Sequence, residues 1–310
     1  MTSDKRPAAT LTVLPGGAVS SVVCLTIAGV GLGLHISLMR IGITGGVPFL
    51  AYVFWQTFGG AVLLLALSYL LRQPPRFAPR NLRAYAVVGF CSLVPFGVFA
   101  LVSDKLPAGI VSLALSLAPS LTLLLALALR IERFNLWRLA GIFLGIGGIL
   151  LVVLPLTSLP EPGMATWVLV SLVGALGIAG ANISMLRLWP PGTTSLGFAA
   201  GIQTLAAAII LPVALGFHGL WAFNGPFDPS WLTPIASMVI VAVLWWLALE
   251  MTIISGPVFT SLFDNVATLA GVGWGILLLA ERHSLWVWGA LVLLVPGVYL
   301  VNRTTAAARW

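Results

Sequence analysis

Ten apolar runs of about 20 residues follow one another along this chain, and they constrain its fold more than any other feature. A helix of that length spans the roughly 30 Å of a bilayer's hydrocarbon core. Lipid offers no hydrogen-bond partners. A single segment that crosses it must therefore be a helix, in which the backbone N–H and C=O groups bond to each other. We predict helices over about 18–39, 46–71, 82–103, 107–129, 136–155, 165–188, 193–217, 231–253, 258–280 and 285–302.

The composition excludes a water-soluble domain. The chain is 60% hydrophobic and only 7% charged, whereas soluble domains carry about 25% charged residues. The net charge of +7 does not indicate nucleic acid, because only Lys5 and Lys105 are lysines and the arginines are scattered between apolar runs. Cys24 and Cys91 lie within apolar runs and fit no disulfide framework or zinc site. We expect no cofactor, no metal and no nucleic-acid partner.

The basic residues predict how the chain lies in the membrane. With the N-terminus in the cytoplasm, the inner side holds every lysine and arginine except Arg40, Lys105 and Arg282. Short cytoplasmic loops of membrane proteins are enriched in these residues. We therefore expect a multi-pass protein, in a bacterial inner (plasma) membrane, with both termini cytoplasmic.

A short signature occurs in both halves of the chain. His35-Ile36-Ser37-Leu38-Met39-Arg40 is matched by Asn182-Ile183-Ser184-Met185-Leu186-Arg187, and Gln56-Thr57 is matched by Gln203-Thr204. Such internal repeats are a mark of transporters that arose by duplication. Since each half contains five predicted spans, an odd number, the second half enters the membrane from the opposite side.

The predicted fold is thus an all-α membrane protein of ten transmembrane helices, built as two inverted five-helix repeats around a central cavity. Sites in such folds lie near the bilayer midplane between the repeats. The predicted units are a cytoplasmic tail over 1–17, a first repeat over 18–155, a second repeat over 165–302 and a cytoplasmic tail over 303–310.

Polar side chains inside predicted spans are candidate cavity residues, because each is costly in lipid. Gln56 and Gln203 lie near mid-depth on equivalent helices, and His35 and Asn182 occupy equivalent places on two others. Each could bind substrate, or could form an interhelical hydrogen bond that only holds helices together. Further candidate lining residues are Trp55, Trp245 and Asn265, with lipid-facing or packing roles as the alternative for the tryptophans.

Two acids and a proline are candidates for coupling or gating. Glu250 and Asp264 lie near the predicted inner face, where they could bind a proton or cation, line a solvated vestibule, or pair with an arginine such as Arg187. Pro119 interrupts the backbone hydrogen bonds of the fourth span and predicts a bend there.

Charged residues at the predicted helix ends are expected to have mainly structural roles. Arg40 and Arg187 are interpreted as anchors whose charged groups reach towards water. The more specific alternative is that they bind a carboxylate or phosphate of the substrate. Glu132 and Glu281, each followed by arginine, are expected to form local ion pairs or helix caps.

At the level of whole-chain organisation, residues 18–302 resemble the EamA-type branch of the drug/metabolite transporter superfamily. The resemblance rests on the ten spans, the duplication, Ala118-Pro119-Ser120-Leu121-Thr122, and Glu132 followed by Trp137-Arg138, Gly141, Leu144-Gly145 and Gly148. It implies export of small metabolites, often amino acids, through a cavity between helices 1–4 and 6–9. The aromatic-rich spans are most similar to aromatic amino-acid exporters. The second half departs from the pattern, since Thr268 stands where Pro119 would recur.

The leading hypothesis is a secondary transporter that exports small neutral metabolites, with aromatic amino acids favoured, by alternating access at a midplane cavity. Its expected partners are a small-molecule substrate, membrane lipid and a proton or cation, and the expected state is a monomer. A nucleotide sugar, a phosphorylated metabolite or a drug-like amphiphile is the alternative cargo. An intramembrane enzyme is a distant alternative and is not expected, since the chain has no HExxH motif and no P-loop sequence.

Overall fold

The computed structural model describes residues 18–130, 136–155, 159, 161, 163–217, 228–260 and 262–303. All regular structure in these ranges is helical. The helices are α1 (Ala18–Thr44), α2 (Phe49–Leu70), α3 (Pro79–Val102), α4 (Ala108–Leu115), α5 (Ala118–Ala128), α6 (Leu136–Val153), α7 (Met164–Leu188), α8 (Ser195–Phe217), a short 3-10 turn (Pro229–Trp231), α9 (Leu232–Thr260), α10 (Leu262–Leu279) and α11 (Leu285–Arg303).

Seven segments in these described ranges are long and apolar enough to cross a membrane, judged by length and composition. They comprise α1, α2, α3, α7, α8, the α4–α5 pair and most of α9. Three shorter apolar helices accompany them, within α6, α10 and α11. Large apolar side chains such as Leu70, Phe143 and Leu277 are exposed on the outside of the bundle, as expected where lipid is the solvent.

The fourth predicted span is not one continuous helix. We predicted a single helix over about 107–129, but α4 ends at Leu115 and α5 begins at Ala118. Pro119 has no N–H to donate to the carbonyl of Leu115, and it is tolerated because it lies in the first turn of α5. Between the two helices, the N–H groups of Ser116 and Leu117 donate to carbonyls three residues back, both at 3.2 Å.

Most close helix packing joins the first half of the chain to the second. Helix α1 packs against α9 and α10, while α7 packs against α3, α4 and α5. Helix α2 packs against α8 and α9, and α8 also contacts α3. Helices α6 and α11 pack mainly against each other. The packing of α2 against α8 brings Gln203 beside Gly60, one helical turn after Gln56.

Glycines allow α1 and α10 to cross at backbone contact. A methyl group at Gly33 would lie 2.5 Å from the backbone nitrogen of Gly271 and 2.8 Å from the carbonyl carbon of Ala270. A methyl group at Gly271 would in turn collide with the side chain of Ser112 on α4. Small residues let transmembrane helices approach closely and gain packing energy that the lipid does not supply.

We expect Gly33→Ala to destabilise the protein by about 1–3 kcal/mol, because rigid backbone atoms surround the added methyl group. Thermal unfolding in detergent, followed by tryptophan fluorescence, measures the change. Gly273→Ala on α10 is the matched control, since a methyl group there meets no atom within 4 Å. An equal loss of stability in both variants would contradict this account of the crossing.

Candidate functional site

One face of α2 carries the first half of the candidate site. Tyr52, Gln56 and Gly60 recur at intervals of four residues and therefore lie above one another on the helix. All three are buried. The Tyr52 hydroxyl is 2.7 Å from the Ser237 hydroxyl on α9 and donates to the carbonyl of Thr233 at 3.3 Å. This face is thus fixed against α9 at one end, which orients the Gln56 side chain.

Gln56 and His35 form a buried hydrogen bond between α2 and α1. The distance from His35 Nε2 to Gln56 Oε1 is 2.7 Å. With the Gln56 amide in this orientation its oxygen accepts, and His35 donates from Nε2 in the corresponding tautomer. The ring of Phe96 on α3 packs edge-on against the His35 ring, with centroids 5.6 Å apart. The sequence identified His35 and Gln56 as candidates but did not pair them.

Gln203 on α8 lies beside the same face of α2. A methyl group at Gly60 would lie 3.4 Å from Gln203 Nε2. Gly60 follows Gln56 by one helical turn, or about 6 Å along the axis. We call His35, Gln56, Thr57 and Gln203 the polar cluster, and all four are buried.

The polar cluster has hydrogen-bonding capacity that the protein itself does not use. Gln56 Nε2, Gln203 Nε2 and Thr57 Oγ1 have no hydrogen-bond partner in the described part of the chain. A buried polar group without a partner costs about 1–3 kcal/mol. Amide NH2 groups enclosed away from water can therefore bind an acceptor such as a carboxylate more strongly than they would in solution.

The structure places the other predicted lining residues in varied surroundings. Trp55 packs edge-on against Phe54 and Phe58, with centroids 5.3 and 6.1 Å away, and Phe58 is 43% exposed on the outside. Trp245 is half-buried and packs against the apolar core that includes Phe198. Asn182 on α7 and Asn265 on α10 are half-buried. Both tryptophans therefore have packing contacts, and their lining role stays a prediction.

Both predicted coupling acids are buried. Glu250 accepts a hydrogen bond from the hydroxyl of Ser195, the first residue of α8. Asp264 lies in the first turn of α10. Ser195 was missed from the sequence, because only the packing of α8 against α9 brings it to Glu250. Arg187, named as an alternative partner of these acids, is exposed.

Arg40 and Glu281 meet at the end of the bundle where α1 ends and α4 begins. Arg40 Nε is 3.6 Å from Glu281 Oε1, and Arg40 Nη1 donates to the carbonyls of Ser103, at 2.9 Å, and Leu106. Glu281 thus forms an ion pair, but with Arg40, which is far away in the sequence, and not the local pair that was predicted. Arg40 is engaged within the protein. Glu132, expected to behave like Glu281, lies outside the described residues.

His283, in the loop between α10 and α11, completes this group. Its Nε2 is 3.5 Å from Glu281 Oε2, and its side chain is buried. Burial lowers the pKa of His283 below the ordinary value of 6.5, while the neighbouring Glu281 carboxylate acts in the opposite direction. Burial thus favours the neutral form of His283.

Comparisons with known proteins identify the family. The model of the EamA-like transporter family matches residues 19–154. The chain is 31% identical to the uncharacterized protein PA1977 of Pseudomonas aeruginosa over 258 residues, covering 82% of this chain and 85% of that protein. A solved crystal structure has a TM-score of 0.63 at 19% identity, covering 95% of this chain and all of the other, and shows likeness of fold alone.

The chain belongs to the EamA-like transporter family, within the drug/metabolite transporter superfamily. It is a multi-pass membrane protein, as its apolar helices and its family both indicate. Members of this family are transporters rather than enzymes.

The unpartnered amide of Gln203 generates a stability prediction. Gln203→Met keeps the volume but removes a buried donor, so we expect thermal stability in detergent to stay level or rise by about 1 kcal/mol. The matched variant Gln56→Met leaves the N–H of His35 without an acceptor, and we expect it to be the less stable of the two. An equal or larger loss in Gln203→Met would show that this amide serves packing instead.

Proposed function

We propose that this chain is a secondary transporter that exports small neutral metabolites, with aromatic amino acids as the leading class, by alternating access. The substrate site is the polar cluster and the space between α1, α2 and α8. The observation that carries this proposal is the pair of buried amide nitrogens, Gln56 Nε2 and Gln203 Nε2, that have no partner in the described part of the chain.

We infer that the architecture behind this activity is ten spans in two inverted repeats, in a monomer with both termini in the cytoplasm, in an inner membrane. The packing supports two equivalent repeats, because exchanging the halves of the chain maps α1 with α9 and α10 onto α7 with α3 and α4–α5. The repeated signatures at His35 and Asn182 support the same correspondence. The concentration of basic residues on one side supports the orientation.

The chemistry of the polar cluster favours an amino acid as cargo. A carboxylate has two oxygens that can accept hydrogen bonds from amide donors such as these. The Phe96 ring beside His35 offers an aromatic surface near this site. Arg40 is occupied by Glu281 and two backbone carbonyls, which disfavours it as a clamp for a phosphorylated substrate.

The remaining candidates have supporting places in this proposal. Asn182 and Asn265 are half-buried and are proposed to line the path away from the cluster. Pro119, beside the break between α4 and α5, is proposed as a hinge because the backbone there lacks regular α-helical hydrogen bonds. Glu250 and Asp264 are proposed as proton-coupling acids, since a buried carboxyl in a membrane is costly unless it has a function.

Counterflow into proteoliposomes tests the substrate class. Vesicles loaded with phenylalanine, tyrosine or tryptophan are expected to take up labelled phenylalanine with saturation, whereas vesicles loaded with a nucleotide sugar or sugar phosphate are not. We expect Gln56→Ala and Gln203→Ala each to lower the rate about tenfold or more, the factor that one hydrogen bond to a charged group contributes.

Gln73→Ala is the matched control, because it removes the same amide from the loop after α2. It should transport at the wild-type rate, and all variants should insert normally into the membrane. Wild-type rates in both cluster variants would make the amides packing residues. Exchange of phosphorylated compounds without exchange of aromatic amino acids would favour the alternative cargo.

An imposed pH difference tests the coupling role of Glu250. We expect a proton gradient to accelerate wild-type transport, and Glu250→Gln to lose this acceleration while exchange without a gradient continues, because glutamine cannot carry the proton. Glu161→Gln, which alters an exposed acid in a loop, is the control. A Glu250→Gln protein that responds to the gradient like wild type would exclude this residue from coupling.

A further inference from the structure

The Glu281 carboxylate binds the start of α4. Ala108 N–H donates to Glu281 Oε1 at 2.6 Å, and Gly109 N–H donates to Glu281 Oε2 at 3.0 Å. The first N–H groups of a helix have no partner within the helix, and a carboxylate there gains from both hydrogen bonds and the helix dipole. Glu281 follows α10, so this bond joins two helices from opposite halves of the chain.

Arg40 extends the same contact to α1 and to the loop before α4. It lies 3.6 Å from Glu281, and its guanidinium donates to the carbonyls of Ser103 and Leu106. These two residues connect the end of α3 to the start of α4. One carboxylate and one guanidinium therefore join the ends of α1, α3, α4 and α10.

Two glycines make the room that Glu281 occupies. A methyl group at Gly275 would lie 2.5 Å from Glu281 Oε2, and one at Gly109 would lie 2.6 Å from the His283 ring. As a result the Glu281 side chain is only 8% exposed. The Arg40 side chain is 22% exposed, so the ion pair is shielded from water mainly on the Glu281 side.

We propose that Glu281, held by Arg40 and by the N–H groups of Ala108 and Gly109, is a latch that keeps this end of the transport path closed. Opening requires α4 to leave the carboxylate, which breaks both N–H bonds and admits water to Glu281 and Arg40. Water then replaces the lost partners, which offsets part of the cost of opening. Glu281 is a positioning residue, and its role rests on the alternating access proposed above.

The reactivity of two buried positions towards a maleimide tests the latch without any knowledge of the substrate. Ser103 and Ser68 are 1% and 0% exposed, and each hydroxyl donates to a carbonyl of its own helix. Ser103 follows α3 and lies at the latch, whereas Ser68 lies in the last turn of α2, at the opposite end of the bundle. Ser103→Cys and Ser68→Cys are made separately in full-length protein whose Cys24 and Cys91 are replaced by alanine.

We expect Glu281→Gln to raise the reaction rate at position 103 about tenfold or more and to leave position 68 unchanged, because one charge-assisted bond contributes that factor to an equilibrium. Asp104→Asn is the matched control, since Asp104 is an exposed acid at the same end and pairs with Lys105 at 2.6 Å. It should change neither rate.

Equal rises at positions 103 and 68 would mean general loosening of the fold, and unchanged rates would mean that no closure depends on Glu281. Either result overturns the latch. If Glu281→Gln fails to fold, Arg40→Lys gives the same test, because lysine keeps the charge but not the planar fork that reaches several acceptors. A differential rise at position 103 in a protein that transports no aromatic amino acid would uphold the latch and reject only the proposed substrate.

Discussion

The bilayer offers no hydrogen bonds, and this constraint underlies every part of the structure. Helices satisfy their own backbone, so the described chain is helical wherever it is regular. The exceptions occur where other groups act as partners. The break at Ser116 and Leu117 is bridged by tight turns, and the start of α4 is bound by Glu281. Irregular backbone is thus found where tight turns or a side chain supply its hydrogen bonds.

The same constraint separates two kinds of helix contact. At one contact, α1 and α10 approach until Gly33 meets the backbone of Gly271, and close packing is joined by a hydrogen bond from Trp274 Nε1 to the carbonyl of Val30. Where α1, α2 and α8 meet, the side chains are polar and one hydrogen bond, His35 to Gln56, is made within the protein. At the second contact, Gln56 Nε2 and Gln203 Nε2 have no hydrogen-bond partner among the described residues, which leaves donors available to a ligand.

Much of the fold followed from the sequence, because length and apolarity determine a helix in lipid with little help from distant residues. The predicted ranges match the observed helices to within a few residues at many ends, but α1 and α9 are longer than expected. The fourth span was wrong as a continuous helix. The bend at Pro119 was expected, but the interruption of the helix at Ser116 and Leu117 was not. The two shorter helices pack against α7, and α4 also packs against α10.

The sequence by itself determined the membrane class, the family resemblance and the short list of polar residues, because each is a property of composition or of local spacing. Only the tertiary structure decided which of those residues meet. Gln56 joins His35 and lies near Gln203, Glu250 joins Ser195, and Arg40 joins Glu281. These partners are far apart along the chain, and they come together through helix crossings set by glycines and close packing, which no local pattern specifies.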